Sequence, residues 1–438
     1  MRISVFGMGY VGSVSAACLA ELGHQIVAVE PDPTKATMIN QGKSPIIETR
    51  MHELIAAVVA TGRLRVCSDW SDAVQNTELA LVCVGTPSQA NGNIDLGSVL
   101  RVCEQIGQAL ASKKDYFTVV IRSTVIPGTV QETVIPTLES RSGKKAGVDF
   151  GVCMNPEFLR EGTSVSDFYN PPKTVIGEFD KKSGDKVAEL YKDLPGPLVR
   201  TQLRVAEMVK YADNSFHALK ICFANEIGNI AQALGVDSHE LMEIFCLDTK
   251  LNLSPYYLKP GFAFGGSCLP KDLRSISYHA KAKDIAAPVL GAILESNEYQ
   301  IKKVVNKLMS YKRRSLGFLG LSFKEGTDDL RESPIVEVIE TMIGKGYTVR
   351  IHDRNVSLAK LMGANKQYIE REIPHISELL CSSPEDLVSQ SDVLVIASKD
   401  EAYSKLLQNV NGNKSIIDLV RLFTPERHPK AEYYGICW

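Results

Sequence analysis

The first thirty residues constrain the fold more tightly than any other stretch. An apolar run from Arg2 to Phe6 leads into G-M-G-Y-V-G, with Gly7, Gly9 and Gly12. A helical segment, Val14 to Leu22, is stopped by Gly23. A second apolar run, Gln25 to Val29, ends on Glu30. Strand, glycine turn, helix, strand, and an acid about twenty residues on make up a dinucleotide-binding βαβ unit. The first two glycines permit a tight turn and the approach of a pyrophosphate, and the helix N-terminus supplies amide donors. Glu30 would accept hydrogen bonds from the adenosine ribose and repel a 2′-phosphate, which favours NAD over NADP. The alternative is a glycine turn that serves packing alone.

The alternation of strand and helix continues. Leu79 to Val84 runs into Gly85, Thr86 and Pro87; Thr118 to Ile121 runs into Arg122, Ser123 and Thr124. Ligands bind at the carboxyl ends of parallel strands, so Thr86 and Thr124 fall near the dinucleotide, although either could instead cap a helix. Phe150 to Cys153 ends in N-P-E-F-L-R-E-G, which carries Glu157 and Glu161 to the same side of the sheet.

From about Val205 to Leu234 no proline or turn cluster interrupts a long helix. Lys210, Asn214, His217 and Asn225 share one face of it, to be read as a solvated face or as a stripe toward a polar ligand. A helix this long would span between domains or pack on another subunit. Beyond it, Tyr256, Tyr257 and Lys259 offer stacking surface, hydroxyls and a cation. G-F-A-F-G-G-S-C-L-P-K-D follows, in which Cys268 stands beside Lys271 and Asp272. The glycine pair loosens the backbone, Pro270 stiffens it, and a nearby cation favours the nucleophilic thiolate. The segment reads as a loop presenting a thiol; the alternative is an inert cysteine in a turn.

After Arg313 and Arg314 a second α/β unit begins: a strand from Ser315, a charged loop, a helix from Ile335 to about Ile343, and strands at Tyr347–His352, Val393–Ala397 and Ser415–Leu419. Its first turn lacks G-x-G-x-x-G, so no second dinucleotide is assigned. Lys324 and Arg331 are surface charges or phosphate clamps. The expected class is α/β, with two Rossmann-like, doubly wound parallel-sheet domains joined by a long central helix. The boundaries fall at 1–200, 201–300 and 301–438. A chain of 438 residues exceeds one core. A formal net charge of −2 gives no reason to propose nucleic acid or an anionic membrane as partner. Ten cysteines without C-x-x-C or His-rich spacing argue for reduced thiols in a cytoplasm and against a zinc site. No run approaches about 18 apolar residues, the length of a membrane span.

Taken together, G-M-G-Y-V-G, G-T-P, S-T-V-I-P-G-T, N-P-E-F-L-R-E-G, K-Y-A-D-N, F-G-G-S-C-L-P-K-D and F-K-E-G-T-D-D-L-R-E-S-P resemble the nucleotide-sugar 6-dehydrogenases. The match covers nearly the whole chain in order. K-L-N-L-S-x-Y-Y, Leu269 and the ending G-I-C-W resemble the GDP-mannose branch, whose product feeds alginate synthesis; the alternative is the same reaction on UDP-glucose or another nucleotide sugar such as an N-acetylhexosamine nucleotide. The resemblance implies four-electron oxidation of a primary alcohol with two NAD. It implies Cys268 as the nucleophile, with Lys210 and Asn214 stabilising oxyanionic charge and Thr124, Glu157 and Asp272 positioning water and moving protons. By the same resemblance Tyr10, Val11, Glu30, Lys35, Thr86, Lys271 and Arg331 are cofactor positions. Glu161, His217, Asn225, Tyr256, Tyr257, Lys259, Phe262, Gly265 and Lys324 are substrate positions. It also implies a homodimer with a shared active site. The relatives carry Asp at Glu30 and Arg at both Lys259 and Pro255, and Lys offers a point charge instead of a fork.

Overall fold

Eight strands build the first sheet: β1 (Arg2–Phe6), β2 (Gln25–Val29), β3 (Leu64–Cys67), β4 (Leu79–Val82), β5 (Phe117–Ile121), β6 (Phe150–Met154), β7 (Thr174–Glu178) and β8 (Leu198–Gln202). Their order is β3-β2-β1-β4-β5-β6-β7-β8. The run from β3 to β6 is parallel, with Ile3 opposite Ile26 on one side and Leu79 on the other. Every residue of β4 and β5 is buried, as expected of strands covered on both faces. The strand order reverses between β1 and β4, which opens a crevice at their carboxyl ends.

Two features depart from the sequence reading. β6 and β7 pair antiparallel, so the sheet is not wholly parallel. The connection between them contains only a six-residue helix, Ser164–Tyr169. A helix that short does not carry the chain back across the sheet, and β7 starts from the edge where β6 ended. The first helix runs Tyr10–Glu21, starting before Val14, so Gly12 lies inside it. β3 and β8 escape an apolar-run reading because exposed polar residues interrupt them.

A single 31-residue helix, Leu203–Ala233, follows β8. The computed structural model describes residues 1–249, 258–282, 284, 287–312, 315–322, 327, 329–356, 376–410, 412–424, 427 and 429–438, and divides into units Met1–Asp213 and Asn214–Trp438. The second unit holds β9 (Ser315–Leu319), β10 (Thr348–His352), β11 (Val393–Ile396), β12 (Ser415–Asp418) and β13 (Glu432–Gly435). They form an all-parallel sheet in the order β10-β9-β11-β12-β13. Helices Pro288–Ser310 and Pro334–Gly344 bury Val304, Leu308, Val338 and Ile339 with Leu316, Phe318, Val395 and Ile417 of the strands. Both begin on proline, whose missing N–H costs nothing at a helix start. Among the described residues no helix is long and apolar enough to cross a membrane.

Candidate active site

Gly7 adopts φ +91°, and a Cβ there would meet Val84 Cγ1 at 2.9 Å. At Gly12 a Cβ would stand 1.8 Å from the Gly7 carbonyl oxygen, so the helix can follow the turn this closely only without a side chain. Gly9 is different: nothing lies within 4 Å of where its Cβ would be. That open space sits at the N-cap of the first helix, whose first turn carries no acid, where amides and the dipole favour a phosphate. The cradle therefore fits a dinucleotide pyrophosphate. Glu30 is buried, and its carboxylate accepts from Met8 N at 3.0 Å and Asp32 N at 3.1 Å, with Lys35 Nζ at 3.4 Å. Two of the predicted cofactor residues, Glu30 and Lys35, are thus an ion pair beside the turn. Tyr10 donates to Glu48 and accepts from Gly162 N at 3.0 Å. Val11 is partly buried against the same core as the first helix.

The loops after β4 and β5 are tied to each other. Thr86 Oγ1 donates to the Thr124 carbonyl at 2.9 Å, and Ser123 Oγ to the Val84 carbonyl at 2.6 Å. These bonds hold Thr124 at the carboxyl edge of β5. After β6, Glu157 forms a buried ion pair with Lys210 at 2.8 Å, the two side chains being 7% and 6% exposed. Burial alone would raise the Glu157 carboxyl. The Lys210 charge and hydrogen bond, with the Leu159 amide and the Arg122 charge, instead hold it below the usual range. Glu161 lies in the loop that follows, next to Gly162, whose amide also donates to Glu48 at 2.8 Å.

In the second unit, Cys268 is exposed. It immediately precedes the helix Leu269–Ala282, and its carbonyl accepts the Asp272 amide at 2.9 Å. The expected thiol loop is therefore shorter than the sequence suggested: Pro270, Lys271 and Asp272 belong to the first helical turn. Asp272 is 1% exposed, accepts from the Asn214 amide, and has Lys271 Nζ at 3.2 Å. Asn225 is spent on the backbone: Gly261 N donates to its Oδ1 at 2.8 Å, and its Nδ2 donates to the Phe262 carbonyl at 3.3 Å. A Cβ on Gly265 would stand 2.3 Å from the Glu332 carbonyl oxygen, so this glycine serves close backbone packing. Arg331 is held on Asp329 at 2.9 and 2.5 Å. His217 is half-buried and Lys259 exposed. Tyr256, Tyr257 and Lys324 lie outside the described residues.

Several supporting residues gave no signal in the sequence. Asn297 clasps both backbone polar groups of Phe264, at 2.8 and 2.9 Å, and Gln300 donates to the Gly261 carbonyl at 2.7 Å. They are three apart on one helix, so one face fastens the segment leading to Cys268. Arg122 is buried and donates to Ser15 Oγ, Asn155 Oδ1 and Tyr191 OH at 3.2, 2.5 and 3.0 Å. Glu48 gathers Tyr10, Gly162 and Ser164. These partners of all four residues are more than twenty positions distant, which no local pattern reveals.

The sequence matches the UDP-glucose/GDP-mannose dehydrogenase family along most of its length. Residues 1–195 match its NAD binding domain, 204–299 its central domain and 317–425 its UDP binding domain. The chain belongs to this family. Its first unit accordingly carries the family's NAD-binding domain, and the cradle around Gly9 fits that cofactor. Relatives include the GDP-mannose 6-dehydrogenases of Pseudomonas aeruginosa and Azotobacter vinelandii, 52% and 53% identical over all of both chains. The UDP-glucose 6-dehydrogenase of Haloferax volcanii is 38% identical, covering 81% of this chain and 83% of its own. Among solved structures, a UDP-glucose dehydrogenase from Pyrobaculum islandicum matches with TM-score 0.90 at 33% identity, over 100% of this chain and 98% of that one. A ternary complex of GDP-mannose dehydrogenase from Pseudomonas aeruginosa matches with TM-score 0.58 at 52% identity, over all of both chains.

Proposed function

We propose that the protein oxidises the primary alcohol of GDP-mannose to the carboxylate of GDP-mannuronate, with two NAD and one water. The observation that carries the reading is Cys268. It is exposed at the start of a helix, where the dipole favours negative charge, and Asp272 lies buried one turn on and paired with Asn214. The 52% and 53% identity to GDP-mannose enzymes supports the substrate.

NAD held at Gly7–Gly12 supplies a hydride acceptor. The chain's own residues supply the rest. Lys210 and Asn214, four apart on one helix, place an ammonium and an amide toward the sugar oxygen, where they stabilise developing negative charge. The alcohol carbon first loses a hydride, and its hydroxyl a proton, to give an aldehyde; the Cys268 sulfur adds to the aldehyde carbon, whose oxygen takes up a proton, to give a thiohemiacetal. That carbon loses a hydride and its hydroxyl proton to become a thioester, and water displaces the thiol to leave the acid. Glu157 is kept ionised by Lys210; with Thr124 and Asp272 it orients water and accepts its proton. Lys271 and Arg331 serve the cofactor. Glu161, His217, Asn225, Tyr256, Tyr257, Lys259, Phe262, Gly265 and Lys324 serve the substrate, Asn225 and Gly265 by shaping the backbone.

We read segment 201–300 as the dimerisation region. The central helix exposes Val205, Met208, Phe216 and Phe223 at 41–47%. They form one stripe opposite buried Lys210 and Asn214, which suits a second copy of the chain completing the active site. Ten free cysteines suit a cytoplasm. The test compares kcat/KM for GDP-mannose and UDP-glucose. Preference for GDP-mannose is expected, and preference for the uridine sugar overturns the substrate assignment.

A further inference from the structure

The mechanism does not use the buried carboxylate of Glu207. Glu207 has 0% exposure and sits on the central helix three residues before Lys210. Its Oε2 accepts the Gly128 amide at 2.6 Å and its Oε1 accepts the Val130 amide at 2.8 Å. Gly128 lies in the loop leaving β5 and Val130 opens the helical stretch Val130–Val134 that follows it, four and six residues beyond Thr124. Gly128 has φ +101°, and a Cβ there would meet the Glu132 carboxylate at 3.3 Å. The backbone is thus bent into a form that favours glycine, and its amide is turned onto Glu207. Burial pushes the Glu207 carboxyl up, against the pull of the two amides. A buried carboxylate is an expensive way to satisfy two amides, unless both of its oxygens are needed at once.

They are needed if the two segments must keep one register. From Glu207 the loop runs back to Thr124, whose carbonyl is fixed by Thr86. On the helix, Glu207 and Lys210 share a face, and Lys210 is fixed by Glu157. One carboxylate therefore links two fixed points within the first unit, the loop of Thr124 held by Thr86 and the Lys210–Glu157 pair. We propose that Glu207 is a positioning residue for the oxidation, setting the spacing between the Thr124 loop and the Lys210 ammonium through two forked backbone bonds. The inference rests on the function proposed above, because Thr124 and Lys210 matter only if that chemistry occurs here.

Glu207→Gln keeps the shape of the side chain but offers one acceptor oxygen, and its NH2 opposes an amide donor. The assay measures kcat per NADH-binding site, well below the unfolding midpoint of each form, with NADH affinity from fluorescence titration. Counting competent sites removes any loss due to unfolding alone. Expected is a fall in kcat on the order of 10²-fold, as a misplacement of about 1 Å costs, with NADH affinity within about threefold of wild type. Glu207→Asp keeps the charge but, one methylene shorter, reaches a single amide; it is expected between the two and serves if the Gln variant does not fold. A lower midpoint with wild-type kcat per site, in either variant, makes Glu207 a stabilising anchor only and overturns the inference. Wild-type protein that turns over no nucleotide sugar overturns the proposed function itself. Turnover in wild type matched by Glu207→Gln overturns only the role of Glu207.

Discussion

Lys210→Met removes the cation from a pair in which both side chains are under one-tenth exposed. Glu157 is left buried with the Leu159 amide, 2.7 Å away, as its nearest remaining donor. Breaking a buried pair from one side costs about 3–5 kcal/mol. For a unit of this size each kcal/mol lowers the midpoint by about 2–4 °C, so a fall of roughly 6–20 °C is expected. The pH dependence separates this cause from lost packing. In wild type the Glu157 carboxyl is held below its ordinary value. Its stabilisation is present above the unfolded pKa of about 4.3 and is lost as pH falls through the folded value. In the variant, burial prevails and the carboxyl rises above its unfolded value. Its contribution is then fully present below about pH 4.3 and lost as pH rises through the raised folded value. The deficit between variant and wild type should grow from pH 5 to pH 8. Glu157→Gln/Lys210→Met should recover at least half of it, since no buried charge is left alone. Thermal unfolding monitored by bound NADH gives each quantity. A deficit below about 1 kcal/mol, against the expectation for a buried pair, or one constant with pH, refutes the reasoning.

Other expectations follow from single contacts. Gly12→Ala drives a methyl into the Gly7 carbonyl oxygen; NADH affinity should fall at least tenfold, and unchanged affinity in a fluorescence titration would contradict the cradle. Glu30→Ala removes the carboxylate beside the turn, and the ratio of kcat/KM for NAD over NADP should narrow by about tenfold; an unchanged ratio would remove Glu30 from cofactor choice. Asn297→Ala leaves both Phe264 backbone groups without their side-chain partner, at a cost of about 1–3 kcal/mol, and kcat should fall with it. Urea unfolding together with steady-state rates would show whether the clasp supports the Cys268 segment.

The glycine turn, the strands that end at Val29 and Ile121, and the central helix were legible in the sequence because each is a local pattern: spacing of glycines, an apolar run, an unbroken helical period. The residues that hold the site were not. Glu48, Arg122, Asn297 and Glu207 act through backbone or side-chain groups distant in sequence, and a lone polar residue gives no sign of which distant amide it meets. Asn225 shows the converse. Its place on a polar helical face suggested a ligand, but its amide is engaged by Gly261 and Phe262. The antiparallel step at β7 was hidden for the same reason, since it depends on how far a six-residue helix can carry the chain.

NADH formed per sugar consumed tests the thiol chemistry most directly. Limiting GDP-mannose is incubated to completion with excess NAD, and absorbance is compared with sugar lost. The account requires two NADH per sugar in wild type, and in Cys268→Ala a severe loss of turnover with no more than one NADH for each sugar consumed. One NADH per sugar in the wild-type enzyme, or two in the variant at an undiminished rate, would show that Cys268 holds no intermediate.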